Sequence, residues 1–155
     1  NHCNAFKIMA DCRLGRAEQA LSTLHKMIPD SKDNPVSITG AEPYLFVNCW
    51  CMHPSFFTRI WFGWFTGTSA WALRGFYEGI CGLRREYGGL RVQPCIPGAW
   101  KELTLTRTFR GCRYHIHISN TGSGKPEVTV DGNRLADTLL PVLNDGQIHE
   151  VVVRT

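Results

Sequence analysis

Residues 68–93, TSAWALRGFYEGICGLRREYGGLRVQ, contain the change of hydrophobic period that decides the fold. Leu73, Phe76, Ile80 and Leu83 recur at the three- to four-residue spacing of one helix face. Thr68 or Ser69 supplies a natural N-cap for that helix. Arg84-Arg85 suits its C-terminus, where a cation meets the negative end of the macrodipole. Beyond Tyr87 the period falls to two: Leu90 and Val92 alternate with Arg91 and Gln93, Leu103 and Leu105 with Thr104 and Thr106, and Tyr114, Ile116 and Ile118 with Arg113, His115, His117 and Ser119. These are strands with one wet face. Val128-Thr129-Val130 followed by Asp131-Gly132 reads as a hairpin, and so does Asp145-Gly146 ahead of Ile148 to Val153.

Upstream of this switch the pattern is helical. Ala5, Ile8, Met9 and Cys12 share one helix face, Gly15 breaks the run, and Ala17, Ala20, Leu21 and Leu24 resume it until Pro29. Two antiparallel or bent helices are therefore expected. Residues 30–40, DSKDNPVSITG, are polar and rich in turn formers, hence a loop. Glu42 to Cys51 is too apolar to be exposed and fits a buried helix or a strand, with helix preferred. The chain is thus α+β, with helices in 1–86 and an antiparallel β-sheet domain in 87–155, and no internal repeat or low-complexity segment.

Composition bounds the function. With 155 residues, 43% hydrophobic and 19% charged, the chain can bury a core and is neither a peptide hormone nor a disordered tail. Its 17 basic and 13 acidic side chains give a net charge of +4 without a Lys/Arg run, so neither nucleic acid nor a membrane surface is the expected partner. The longest apolar run, IWFGWF at 60–65, is far short of the ~20 residues that span a bilayer. Seven irregularly spaced cysteines, an odd number set in apolar stretches, favour reduced, buried thiols in a cytoplasmic protein. Cys49-Trp50-Cys51-Met52-His53 would align three metal-ligand types on one strand face, but no second ligand pair follows at zinc spacing, so no metal is expected. The chain starts Asn1-His2-Cys3 without an initiator Met, which reads as a piece of something longer.

Chemistry concentrates at residues 64–71, WFTGTSAW. A glycine-hinged turn that opens a helix presents unpaired N–H groups beside several hydroxyls, a ready site for an anion such as phosphate. The same pattern also describes an ordinary capped helix whose tryptophans are core. It is not a P-loop, because no Gly-Lys-Ser/Thr follows at the required spacing. His2, at the start of a helix, either points into a cleft or is structural; His115 and His117 fall on a solvated strand face. Asp11, Asp33 and Glu42 form no recognisable acid/base pair, and the residues show no complete catalytic constellation.

Several segments, in order along nearly the whole chain, resemble one family. HCNAF at 2–6, MAD at 9–11, LG at 14–15, DNP at 33–35, AEPY at 41–44, WFTGTSAW at 64–71, GICGLR at 79–84, LRVQPCIP at 90–97 and WK at 100–101 are similar to the C-terminal portion of cellobiose and chitobiose phosphorylases. These are the inverting disaccharide phosphorylases of glycoside hydrolase family ninety-four. The resemblance implies that residues 1–86 are the last helices of an (α/α)6 barrel and that 87–155 form a small β domain packed behind it. It implies an attack of inorganic phosphate on a β-linked disaccharide, while an Asp protonates the departing oxygen, to give a sugar 1-phosphate. Phosphate is a substrate, and no cofactor is implied.

Carried over by residue, His2, Thr66 and Gly67 are the phosphate-binding positions and Asn48 contacts the sugar. The general-acid Asp is expected upstream of residue 1, so the chain alone is expected to be inactive. Expected partners are disaccharide and phosphate, the remainder of the barrel, and a second copy in a homodimer. A non-catalytic carbohydrate-binding or dimerisation module is the alternative, with the aromatic run from Phe56 to Trp71 stacking on sugars.

Overall fold

A computed structural model of the chain describes residues 1–29, 32, 35–57 and 59–155. They fall into two compact units, Asn1–Ile80 and Cys81–Thr155.

The first unit begins with α1 (His2–Arg13) and α2 (Ala17–Met27), joined at Gly15, whose φ of 71° lies in the left-handed region where glycine carries no Cβ penalty. Ala5 and Ile8 of α1 and Ala20, Leu24 and Met27 of α2 are buried, as the helical spacing requires. Met9 and Cys12 are only half-buried. Asp11 is spent on structure: Lys7 Nζ donates to its carboxylate and also, at 3.0 Å, to Thr23 Oγ1 across on α2.

A short α3 (Val36–Thr39), closed by Gly40, occupies part of the expected 30–40 loop. Asp30, Ser31, Asp33 and Asn34 of that loop lie outside the described residues.

Glu42 to Cys51 is not a helix. Burial alternates, with Leu45, Val47 and Cys51 inside and Phe46 and Asn48 half-exposed, the period of an extended chain. Its backbone bonds go sideways: Asn48 N donates to Phe62 O, Cys51 N to Arg59 O, and β1 (Cys49–Trp50) pairs antiparallel with β2 (Ile60–Trp61). His53 caps a 3-10 turn at Pro54–Phe56 by accepting from Ser55 N–H at 3.2 Å.

α4 (Thr68–Arg74) runs directly into a π-helical turn at Gly75–Ile80. Gly75 and Gly79 let this segment press on α1, since a Cβ there would sit 3.1 Å from Ile8 Cγ2 and 3.1 Å from Cys12 Sγ. The helical segment ends at Ile80, short of the expected Arg84-Arg85. The reason is Gly82: its φ is 71°, and a Cβ on it would stand 2.0 Å from Gln93 O. Only glycine fits, so the chain turns there and Leu83 enters a strand.

In the second unit, β3 (Leu83–Glu86) and β4 (Gly89–Val92) form an antiparallel pair, followed by β5 (Glu102–Phe109), β6 (Cys112–Ser119), β7 (Glu127–Val130), β8 (Asn133–Arg134), β9 (Leu139–Leu140) and β10 (Ile148–Arg154). Three strands assemble as β3-β4-β9 and five as β5-β6-β10-β7-β8. Tyr114, Ile116, Ile118, Val128, Val130, Val151 and Val153 face the core, while His115 and His117 lie on the wet face beside Glu150.

The Asp131-Gly132 hairpin forms between β7 and β8. Asp145-Gly146 does not make one: Gly146 N bonds Gly111 O, and the chain then inserts β10 between β6 and β7. β10 is antiparallel to β7 but parallel to β6, so the sheet is not purely antiparallel. A strand-turn signal carries no information about which neighbour a strand finds.

Of the seven cysteines only Cys51, Cys81 and Cys112 are buried. Burial pushes the Cys81 thiol up to about 12, so it stays protonated and unreactive. Among the described residues no helix is long and apolar enough to cross a membrane.

Candidate functional site

The site grows from the turn ahead of α4. Gly67, not Thr68 or Ser69, is the N-cap, and the capping bond comes from one residue earlier: Thr66 Oγ1 accepts from Thr68 N–H at 3.1 Å. Thr66 Oγ1 also lies 2.7 Å from the hydroxyl of the fully buried Thr68. When Thr68 donates in that pair, the Thr66 proton is left free to point at a ligand.

His2, the first residue of α1, lies against the same turn. A Cβ on Gly67 would sit 3.2 Å from His2 Cε1 and 3.4 Å from His2 Nε2, so the glycine makes room for the imidazole. His2 N donates to Asn48 O at 3.0 Å, which ties the extended 42–51 segment to α1. The ring is steadied by Phe6, 5.4 Å away, and Phe6 meets Trp71 of α4 edge-on at 4.7 Å.

Within this frame His2 Nε2 is buried and, among the described residues, has no hydrogen-bond partner. Leaving such an atom unpaired is costly unless a ligand completes it. Asn1 Nδ2 is a second orphan: Asn1 Oδ1 accepts from Trp50 Nε1 at 2.8 Å, but the amide nitrogen is buried and unpartnered.

Of the four positions singled out in sequence, His2 and Gly67 are in contact, Thr66 adjoins Gly67, and Asn48 joins through its carbonyl. Asn1 carries no sequence signal for such a role, because a lone Asn before a helix has the pattern of a cap. Three carboxylates of this unit have other duties: Asp11 holds Lys7, Glu42 accepts from Trp64 Nε1 at 3.2 Å, and Glu78 pairs with Arg74 at 2.8 Å. Asp33 lies outside the described residues. Among the described residues no group of three or more His, Cys, Asp or Glu side chains is arranged to hold a metal; Cys49 Sγ instead approaches Trp61 O at 3.7 Å.

The two tryptophans of 64–71 differ: Trp64 is 67% exposed, next to Phe65 at 89%, whereas Trp71 is half-buried against Phe6. Tyr44, beside Trp64, is 74% exposed.

Residues 1–82 match the family model described as glycosyl hydrolase 94 superfamily, catalytic domain, and residues 83–135 match glycosyl hydrolase family 65, C-terminal domain. The chain is 36% identical to a solabiose phosphorylase of Paenibacillus borealis, over 98% of this chain and 20% of that relative. It is 32% identical to an N,N'-diacetylchitobiose phosphorylase of Vibrio furnissii, over 85% of this chain and 17% of the relative. It is also 32% identical to a cellobionic acid phosphorylase of Neurospora crassa, over 99% of this chain and 20% of the relative. The chain spans about a fifth of the length of the curated relatives it matches.

Proposed function

Because the chain belongs to the glycosyl hydrolase 94 superfamily, we propose that it supplies part of the phosphate site of an inverting phosphorylase acting on a β-linked disaccharide. The observation that carries this reading is the buried, unpartnered His2 Nε2 beside Gly67 and Thr66. As a donor, that atom gives an anion one hydrogen bond, and the free proton of Thr66 gives another. In the proposed reaction a phosphate oxygen forms a bond to the anomeric carbon from the face opposite the leaving group. The glycosidic C–O bond breaks, and an Asp outside these residues protonates the departing oxygen. The products are a sugar 1-phosphate of inverted configuration and a free sugar.

Phosphate arrives already charged, so the site needs donors rather than a base. No cofactor enters this scheme. Asn48 belongs beside the sugar, the helical unit to an (α/α)6 barrel, and the working enzyme is a cytoplasmic homodimer.

The test is kinetic, in the enzyme assembled with the rest of the barrel. Thr66→Ala removes one bond to a charged ligand, worth about 1.5–3 kcal/mol, so the phosphate KM should rise roughly ten- to a hundredfold. Thr66→Ser, which keeps the hydroxyl, should restore it. Unchanged phosphate KM and kcat in Thr66→Ala would refute the assignment.

A second reading rests on the exposed Tyr44 and Trp64 rings, 6.3 Å apart, as a sugar-stacking platform in a non-catalytic binding module. Titration calorimetry separates the two, since oligosaccharide binding that ignores phosphate favours the module.

A further inference from the structure

A groove of about 540 Å³ in the second unit, remote in sequence from His2 and Thr66, is lined by Arg85, Glu86, Tyr87, Arg107, Phe109 and Arg110. Three arginines line it, and its one acidic residue is already paired. Glu86 is gripped by the Arg91 fork, with Nε to Oε1 at 2.6 Å and the second nitrogen to Oε2 at 3.0 Å.

The remaining cations are under-used. Among the described residues Arg107 Nε is buried without a hydrogen-bond partner, and Arg85 is exposed. An unpaired buried donor of a charged group is expensive unless an anion completes it.

Arg110 adds a strained backbone. It occupies the first position of the tight β5–β6 turn with φ 42°, followed by Gly111 at φ 83°. Such turns favour Asn, Asp or Gly, and a long side chain there costs on the order of 1 kcal/mol. The strained residue is used: its guanidinium stacks 5.1 Å from the Phe109 ring centre and donates at 2.6 Å to Tyr87 O, tethering the β3–β4 turn to the β5–β6 turn. That bond consumes one of five N–H donors.

We infer that this groove is a binding site for a phosphate group, either inorganic phosphate or the phosphoryl end of a sugar phosphate, held by Arg85, Arg107 and Arg110. A carboxylate is satisfied by one fork, as Glu86 shows. Three arginines lining one groove match a multiply charged tetrahedral oxyanion. The Tyr87 side chain, almost fully exposed on the rim, offers a face on which a sugar ring attached to that phosphate can rest.

Arginine-directed labelling of the full chain with phenylglyoxal, followed by peptide mapping, reads the site residue by residue at low protein concentration. At matched ionic strength, phosphate at ten times its Kd should slow labelling of Arg85, Arg107 and Arg110 about tenfold. Arg113 and Arg154 should label at unchanged rates. Glucose 1-phosphate protecting at lower concentration than phosphate assigns the sugar-bearing ligand, and equal protection assigns free phosphate. Glucose alone should protect nothing. In Arg107→Gln the protection of Arg85 should be lost. Should that variant melt early, Arg85→Gln, at an exposed position, serves instead with Arg107 as the reporter.

Labelling of Arg85, Arg107 and Arg110 at the same rates with and without saturating phosphate overturns the inference, as does full protection in the variants. The His2 and Thr66 cluster contains no arginine, so neither result bears on the phosphorylase reading.

Discussion

His149 is the side chain in which position and chemistry are most tightly linked. Its Nδ1 lies 2.7 Å from Asp131 Oδ2 and its Nε2 3.1 Å from both Asp145 oxygens, with the Tyr114 ring 5.9 Å away. Asp131 Oδ1 also accepts from Glu150 N–H at 2.9 Å. Both ring nitrogens face carboxylates, so the doubly protonated imidazolium is favoured. The bond to Asp131, and then that to Asp145, raises His149 above its ordinary 6.5. The bond from His149 holds Asp131 below its ordinary 3.8, and Asp145 is lowered first by Gln147 N–H and then by His149.

A raised histidine stabilises the fold below 6.5 and loses that contribution as pH climbs through its folded value. Lowered aspartates contribute above 3.8 and lose it on acidification. The clamp therefore works best between these limits. Thermal melts from about pH 6 to about pH 8 should show Tm falling, and His149→Gln should flatten that slope. A slope unchanged in the variant would remove the clamp from the account.

No local pattern marks His149, because its two partners come from separate turns. His2 and Gly67 were legible by contrast: a glycine before a helix and a histidine at a helix start each carry local meaning. Their contact was not.

At the scale of elements, glycines at close approaches decide boundaries that periodicity leaves open. Gly82 stops the helical spacing that Leu83 would continue. Gly89 opens β4 where a Cβ would stand 2.0 Å from Leu140 O of β9, an approach that no side-chain adjustment relieves. Gly89→Ala should therefore push β4 and β9 apart and cost roughly 2–4 kcal/mol in urea unfolding. A loss under about 0.5 kcal/mol would show that the strands separate freely.

The alternating strands β4, β5 and β6 were legible because one wet face and one buried face impose a period of two. β1 and β2 were not, since two-residue strands leave no pattern, and the apolar 42–51 segment satisfies helix and strand alike until its hydrogen-bond partners are known. β9 was invisible for the same reason, and the parallel neighbour of β10 could not be inferred from the turn that precedes it.

Across the whole chain, the first unit exposes more aromatic surface than a solitary soluble protein ordinarily tolerates. Tyr44, Phe56, Phe57, Trp61, Phe62, Trp64 and Phe65 are each more than half exposed. Apolar patches of this kind mark interaction surfaces or drive association. The 155-residue chain alone should bind ANS and self-associate with concentration in sedimentation velocity, and Trp61→Thr with Phe65→Ser should reduce both. A monodisperse monomer without ANS fluorescence would contradict this.

The α+β class, the helical and β halves, the wet and dry strand faces and the family were determined by the sequence itself, because periodicity and motif are properties of neighbours along the chain. The orphaned nitrogens of Asn1 and His2, the His149 clamp, the arginine groove and the place of β10 between β6 and β7 were decided by tertiary structure alone. Each depends on which distant groups meet and on which donors are left unpaired when they do, quantities set by packing and desolvation rather than by local spacing.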